Sequence, residues 1–186
     1  MLEHVGAGHY DEYFSKVAAL LKQDGVAMIH TIGCVGGPGA PQPWLRKYIF
    51  PGGYIPPLSD LAPAIERSGL VMSDVEVLRM HYAETLKAWR ARFTARRDEV
   101  AALYDERFCR MWEFYLAGCE AGFRHSGLVV FQFQLAHRLD AVPLTRDYLA
   151  QAETAMDGLT VVRATANDSS KSTPQVMKPA DSVAAE

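Results

Sequence analysis

The chain has 186 residues and a mass of 20.6 kDa, enough for one domain with a sizeable core and too few for two of ordinary size. Apolar residues make up 49% and charged residues 22%, with a mean hydropathy of −0.06, which excludes collagen, a coiled coil and full-length disorder. A net charge of −3 and a pI near 6.1 exclude the strongly basic footprint of a nucleic-acid-binding domain.

No apolar run approaches the ~20 residues that span a bilayer. The start, Met-Leu-Glu-His-Val-Gly, lacks the basic, apolar and small-residue regions of a signal peptide. Cys34, Cys109 and Cys119 are odd in number, widely spaced and without CxxC spacing. A disulfide framework or zinc site is therefore not expected, and a reducing cytoplasm is.

In chain order, Tyr10, Tyr13, Phe14, Val17 and Leu21 recur at helical steps and predict a helix over His9 to Lys22. Asp24-Gly25 supplies turn chemistry, and the apolar run Val26 to Ile32 predicts a buried strand. GCVGGPGAPQPW reads as a loop. A short helix is expected over Pro57 to Ser68 with Ser59 as N-cap, then a second strand over Leu70 to Met80. Helical period returns from Tyr82 to about His125 as two helices, and LVVFQFQL (128–135) predicts a third strand. This alternation predicts an α/β fold with a layered sheet. Three strands are few for an open sheet, and no strand precedes the first helix, so the chain reads as the second half of a domain. Residues 1–150 carry the periodic pattern. Residues 151–186 are expected to be mostly a disordered polar tail, without aromatics from Arg163 onward.

Few residues suggest chemistry by themselves. The glycine-rich 33–39 segment has neither GxGxxG nor GxxxxGK[ST] spacing and precedes a Pro-rich stretch, so it is no phosphate loop. GxSxG and HExxH are absent. Glu3 is either a solvated acid or a functional one. His30 sits among Ala27, Met28, Ile29 and Ile32, where a polar ring needs a partner. It is either a satisfied core residue or, near the C-terminal end of its strand, a crevice residue. Arg90, Arg92, Arg96 and Arg97 flank Trp89 and Phe93 on one expected helix, either as a solvated face or as a surface for anionic lipid headgroups. Cys119 falls on an apolar stripe, where packing is its default role.

Six strings in order, MLEHVG (1–6), HTIG (30–33), PWLRKYIFPGG (43–53), HYAETLKAW (81–89), ERFCRMWEFYLAGCEAGFR (106–124) and VFQFQL (130–135), with PLTRDYL (143–149) after them, resemble the C-terminal half of the cyclopropane-fatty-acyl-phospholipid synthases and mycolic acid cyclopropane synthases. The resemblance covers roughly residues 1–150. It implies the C-terminal part of a class I S-adenosylmethionine-dependent methyltransferase (Rossmann-like) sheet with added helices, its N-terminal strands missing. It also implies methylene transfer from S-adenosylmethionine to a cis double bond of a membrane phospholipid acyl chain, with bicarbonate as base.

Matched by motif, Glu3, His30 and Tyr82 become catalytic. Together with a backbone contact from Ile32 they hold the bicarbonate. Cys119 takes the place of the family's proposed active-site cysteine, although methyl transfer to an olefin needs no protein nucleophile. The cofactor loop of the family lies upstream of the EHVG string, so no cofactor-binding residue can be carried onto this chain. Peripheral contact with the inner membrane face and a homo-dimer that covers the exposed half-sheet are further expectations. The alternative is a non-catalytic truncated remnant that binds lipid or a partner chain.

Overall fold

In the computed structural model, which describes residues 2–40 and 42–166, a three-stranded sheet organises the chain. Strands β1 (Val26–Cys34), β2 (Val71–Leu78) and β3 (Leu128–Ala136) lie in the order β1-β3-β2, and β3 pairs antiparallel with both neighbours. All three fall where the apolar runs predict them. Their order and direction do not follow from periodicity, which fixes faces but not partners. In β2 the register slips between Met72 and Asp74, and the bulged Ser73 turns its hydroxyl onto the Gln134 carbonyl at 2.9 Å.

Each sheet face buries a different layer. Phe131, Phe133 and Leu135 of β3 pack with Phe14 of helix α1 (Tyr10–Leu20) and with Leu61 and Ile65 of α3 (Leu58–Arg67). On the opposite face, Ile32, Val130 and Leu78 meet Ala83 and Leu86 of α4 (His81–Ala95) and Leu116 and Phe123 of α6 (Glu106–His125). The alternating β3 pattern separates these layers, because successive side chains point to opposite faces. Close packing is tightest at Gly33. A Cβ there would lie 2.2 Å from the Phe131 ring and 2.9 Å from the Pro56 carbonyl oxygen.

Several boundaries differ from the sequence expectation. Pro57, not Ser59, precedes α3, and no side chain caps that helix. The long helical span resolves into three helices, α4, α5 (Arg97–Leu103) and α6. Asp105 starts α6 by accepting the Phe108 N–H at 2.6 Å. The expected loop, 33–44, gives way at its end to a further helix, α2 (Pro43–Tyr48), which begins on a proline and is capped by the Gln42 side chain.

Contacts divide the chain into units 1–142 and 143–186. Helix α7 (Asp147–Ala166) lies in the second unit, over residues expected to belong to a polar tail. Its Ala-rich composition carries high helix propensity, and the Thr154 hydroxyl returns to the Ala150 carbonyl. The remainder of the expected tail, 167–186, lies outside the described residues. Among the described residues no helix is long and apolar enough to cross a membrane.

Candidate active site

Glu3 lies on a 3-10 turn, Leu2–His4, anchored by Leu2, which is fully buried against the α1/α3 layer. The Tyr54 N–H donates to the Glu3 carbonyl at 3.2 Å. With its backbone held, Glu3 directs Oε1 onto the Ile32 N–H of edge strand β1, 2.6 Å away. Burial pushes the carboxyl up, but hydrogen bonds from Ile32 N–H and the Thr31 side chain help to outweigh that effect and hold it below the usual range. Glu3 is therefore a carboxylate at neutral pH. Two of the residues singled out from the sequence, 29 positions apart, are thus in direct contact.

Tyr82 enters the same region from α4. Leu78, the last residue of β2, shares a cross-strand row with Val130 and Ile32, and α4 begins three residues later. The Tyr82 ring lies 5.1 Å from Phe123 and 5.9 Å from Trp89. Burial, then Cys119, then the Glu3 charge push its phenol upward, so Tyr82 is a neutral hydroxyl within electrostatic range of Glu3.

Cys119 stands beside Tyr82 and Tyr115. Burial pushes its thiol to about 11 and the Tyr115 phenol to about 12. A thiol so shifted is protonated at neutral pH and is a poor nucleophile. The sequence expectation passes over Tyr115, although it sits one helical turn before Cys119 and hence on the same face. Rings continue from Tyr115 to Phe50 (6.0 Å) and from Phe50 to His4 (5.5 Å), back to the turn that carries Glu3.

His30 is placed differently from the expectation. It is the fifth of nine residues in β1 rather than near its C-terminal end, and it is exposed. It occupies the row His30–Gln132–Glu76, one row from Ile32–Val130–Leu78 on the same face. Its Nδ1 lies 3.1 Å from Gln132 Nε2. An amide N–H donating there leaves the imidazole proton on Nε2. His30 therefore shares the Ile32 and Tyr82 face, but its resolved contact is to Gln132, a partner that only the strand register reveals.

The arginine run is not one face. Arg90 and Arg92 are on α4, Arg96 ends it, and Arg97 opens α5. Arg90 lies 3.1 Å from Glu120, and Arg97 grips Glu106 with both terminal nitrogens. Arg124 joins Glu84 at 2.8 Å and Glu120 at 3.0 Å, tying α4 to α6. Two of the four arginines thus fasten helices together rather than wait for headgroups. Among the described residues no cluster of His, Cys, Asp and Glu could hold a metal ion.

The chain is 42% identical over 141 residues to tuberculostearic acid methyltransferase UfaA1 of Mycobacterium tuberculosis, an alignment that covers 73% of this chain and 33% of that protein. It is 40% identical over 132 residues to the cyclopropane-fatty-acyl-phospholipid synthase of Escherichia coli, covering 71% of this chain and 34% of that one. The fold matches the cyclopropane synthase MmaA2 from M. tuberculosis with a TM-score of 0.67 at 28% identity, over 73% of this chain and 52% of that chain. The chain thus spans about a third of the length of these two curated relatives. The family described as mycolic acid cyclopropane synthetase matches residues 1–133, and the chain belongs to that family.

Proposed function

We propose that this chain is the C-terminal, acyl-side part of an S-adenosylmethionine-dependent enzyme that adds a one-carbon unit to a cis double bond in a phospholipid acyl chain. In this reading Glu3, His30, Ile32 and Tyr82 form an anion-and-proton site for bicarbonate. The observation that carries the reading is the Glu3 carboxylate fixed on the Ile32 N–H at 2.6 Å, with a neutral Tyr82 hydroxyl in range of its charge. Family membership and the lipid-directed names of the relatives support the substrate class.

The chemistry requires such a site. An olefin is a weak nucleophile, and its methylated form is a cation that must lose one proton before a ring can close. Bicarbonate, when bound, supplies the base for that proton. Tyr82 O–H and His30 Nε2–H are donors suited to a small anion, and the Glu3 carboxylate is an acceptor for the anion's own proton. The half-buried rings of Tyr82 and Tyr115 present faces that favour a cation, with the exposed Phe50 ring packed against Tyr115 at their edge. Gly36, Gly37 and Gly39 have open space where a Cβ would project, so the 35–40 loop is no tight cradle. The reading assigns cofactor binding to the part of the relatives that this chain does not span.

A second reading is a non-catalytic remnant that binds lipid or a partner chain. Titration calorimetry with S-adenosylmethionine separates it from a self-sufficient enzyme: micromolar binding by this chain alone refutes both the remnant and the division of labour proposed above. The direct test is a chimera in which residues 1–142 replace the matching segment of the E. coli synthase. Gas chromatography of fatty acid methyl esters should show acyl chains heavier by one methylene, as cyclopropane or as methyl-branched product. Tyr82→Phe and His30→Ala should each remove most product while leaving cofactor affinity intact. A folded, cofactor-binding chimera without product, or variants as active as the parent, would overturn the reading.

A further inference from the structure

Helix α6 buries Cys109, Leu116, Glu120 and Phe123, so its other side would ordinarily be polar throughout. Instead it mixes charge with large apolar groups. Arg107, Arg110, Met111 and Phe114, at steps of three and four residues, form an outward stripe. Helix α2 lies against this stripe: the Trp44 ring meets Phe114 edge-on at 4.7 Å and Tyr48 at 5.6 Å. These six side chains line an open groove of about 380 Å³. Phe114 is 58% exposed and Tyr48 44%.

The rim of the groove is basic although the chain carries a net −3. Arg107 has no ion pair among the described residues. Arg110 meets Glu106 only at 3.4 Å, with both side chains largely exposed, a contact of little energetic weight. Glu106 is already gripped by Arg97, and the Glu113 charge acts on Arg97 as well. The Lys47 ammonium lies 5.1 Å above the Tyr48 ring on the α2 side. Trp and Tyr rings beside arginines with apolar stems are the combination that settles at a membrane–water boundary, rings at headgroup depth and guanidiniums on phosphates.

We propose that the α2/α6 groove is the surface by which this protein docks on anionic phospholipid, with Phe114 and Trp44 entering the headgroup layer and Arg107 and Arg110 pairing with phosphates. This rests on the lipid-directed reading above but does not require turnover, and it moves membrane contact away from the α4 arginines.

The test is sedimentation of the chain with vesicles of phosphatidylglycerol in phosphatidylcholine, made once with saturated and once with mono-unsaturated acyl chains. Both should bind alike, and pure phosphatidylcholine weakly. Each arginine near an anionic surface contributes about fivefold to partitioning, so Arg107→Gln with Arg110→Gln should lower binding about 25-fold. Phe114→Ser should weaken binding on both vesicle types, whereas Phe114→Trp should retain it. No vesicle binding, or binding unchanged by these variants, overturns the proposal. So does a dimer in solution that the same substitutions dissociate, since a second copy would then be the occupant. Vesicle binding through this groove by a chain whose chimera makes no product sustains the docking surface while removing the catalytic reading.

Discussion

Removal of the Glu3 carboxylate isolates one bond of the candidate site. Glu3→Ala deletes the acceptor of the Ile32 N–H but leaves the turn anchored by Leu2 and by the backbone bond from Tyr54. The loss is therefore local: a charged hydrogen bond contributes about 1.5–3 kcal/mol, and the part-buried N–H is left without its partner. With ~2–4 °C per kcal/mol for a chain of this size, the melting temperature should fall about 3–12 °C. Glu3→Gln keeps an oxygen on the N–H and should cost less than ~1 kcal/mol at pH 7.

The two variants also differ in pH dependence. The Glu3 carboxyl is held below its ordinary value in the folded chain, so its contribution is fully present above the unfolded pKa of about 4.3 and is lost as the pH falls through the folded value. Urea denaturation at a series of pH values should therefore show wild type and Glu3→Gln converging from pH 5 toward pH 3. Equal destabilisation by Ala and Gln, or a wild-type advantage over Gln that grows on acidification, would refute the bond as drawn.

Gly33→Ala should cost about 2–3 kcal/mol by urea denaturation, because the new methyl meets the core ring of Phe131 and the Pro56 carbonyl at once; a neutral substitution would mean that β1 and the Pro56 segment separate easily. Alkylation by iodoacetamide at pH 8, followed residue by residue by mass spectrometry, should be about 100-fold or more slower at Cys119 than at an unperturbed thiol, since burial leaves little thiolate. Rapid labelling of Cys119 in the folded chain would restore it as a nucleophile.

Local pattern carried much of the architecture. The three strands and α1 were legible because apolar period and turn residues agree there. Helix α2 was hidden because Gly and Pro dominate its approach and its cap is a glutamine, an uncommon choice. The division of the long helical span at Asp105 could have been read from a side chain suited to an N-cap. Strand order could not, because β3 reaches its place between β1 and β2 only through packing. The same holds for the site. Motif resemblance singled out Glu3 and Ile32, but their bond joins an N-terminal turn to a strand edge across 29 residues. Apolar neighbours made His30 look buried; the cross-strand row that places it beside Gln132 exists only in the folded sheet.

Bicarbonate dependence of the chimera's turnover tests the central claim most directly. With carbon dioxide removed from the buffers, product formation should fall and be restored by added bicarbonate, and Tyr82→Phe or His30→Ala should raise the bicarbonate concentration needed for half the maximal rate. A rate indifferent to bicarbonate, or the same half-saturation in wild type and both variants, would contradict the claim that these side chains serve one anion.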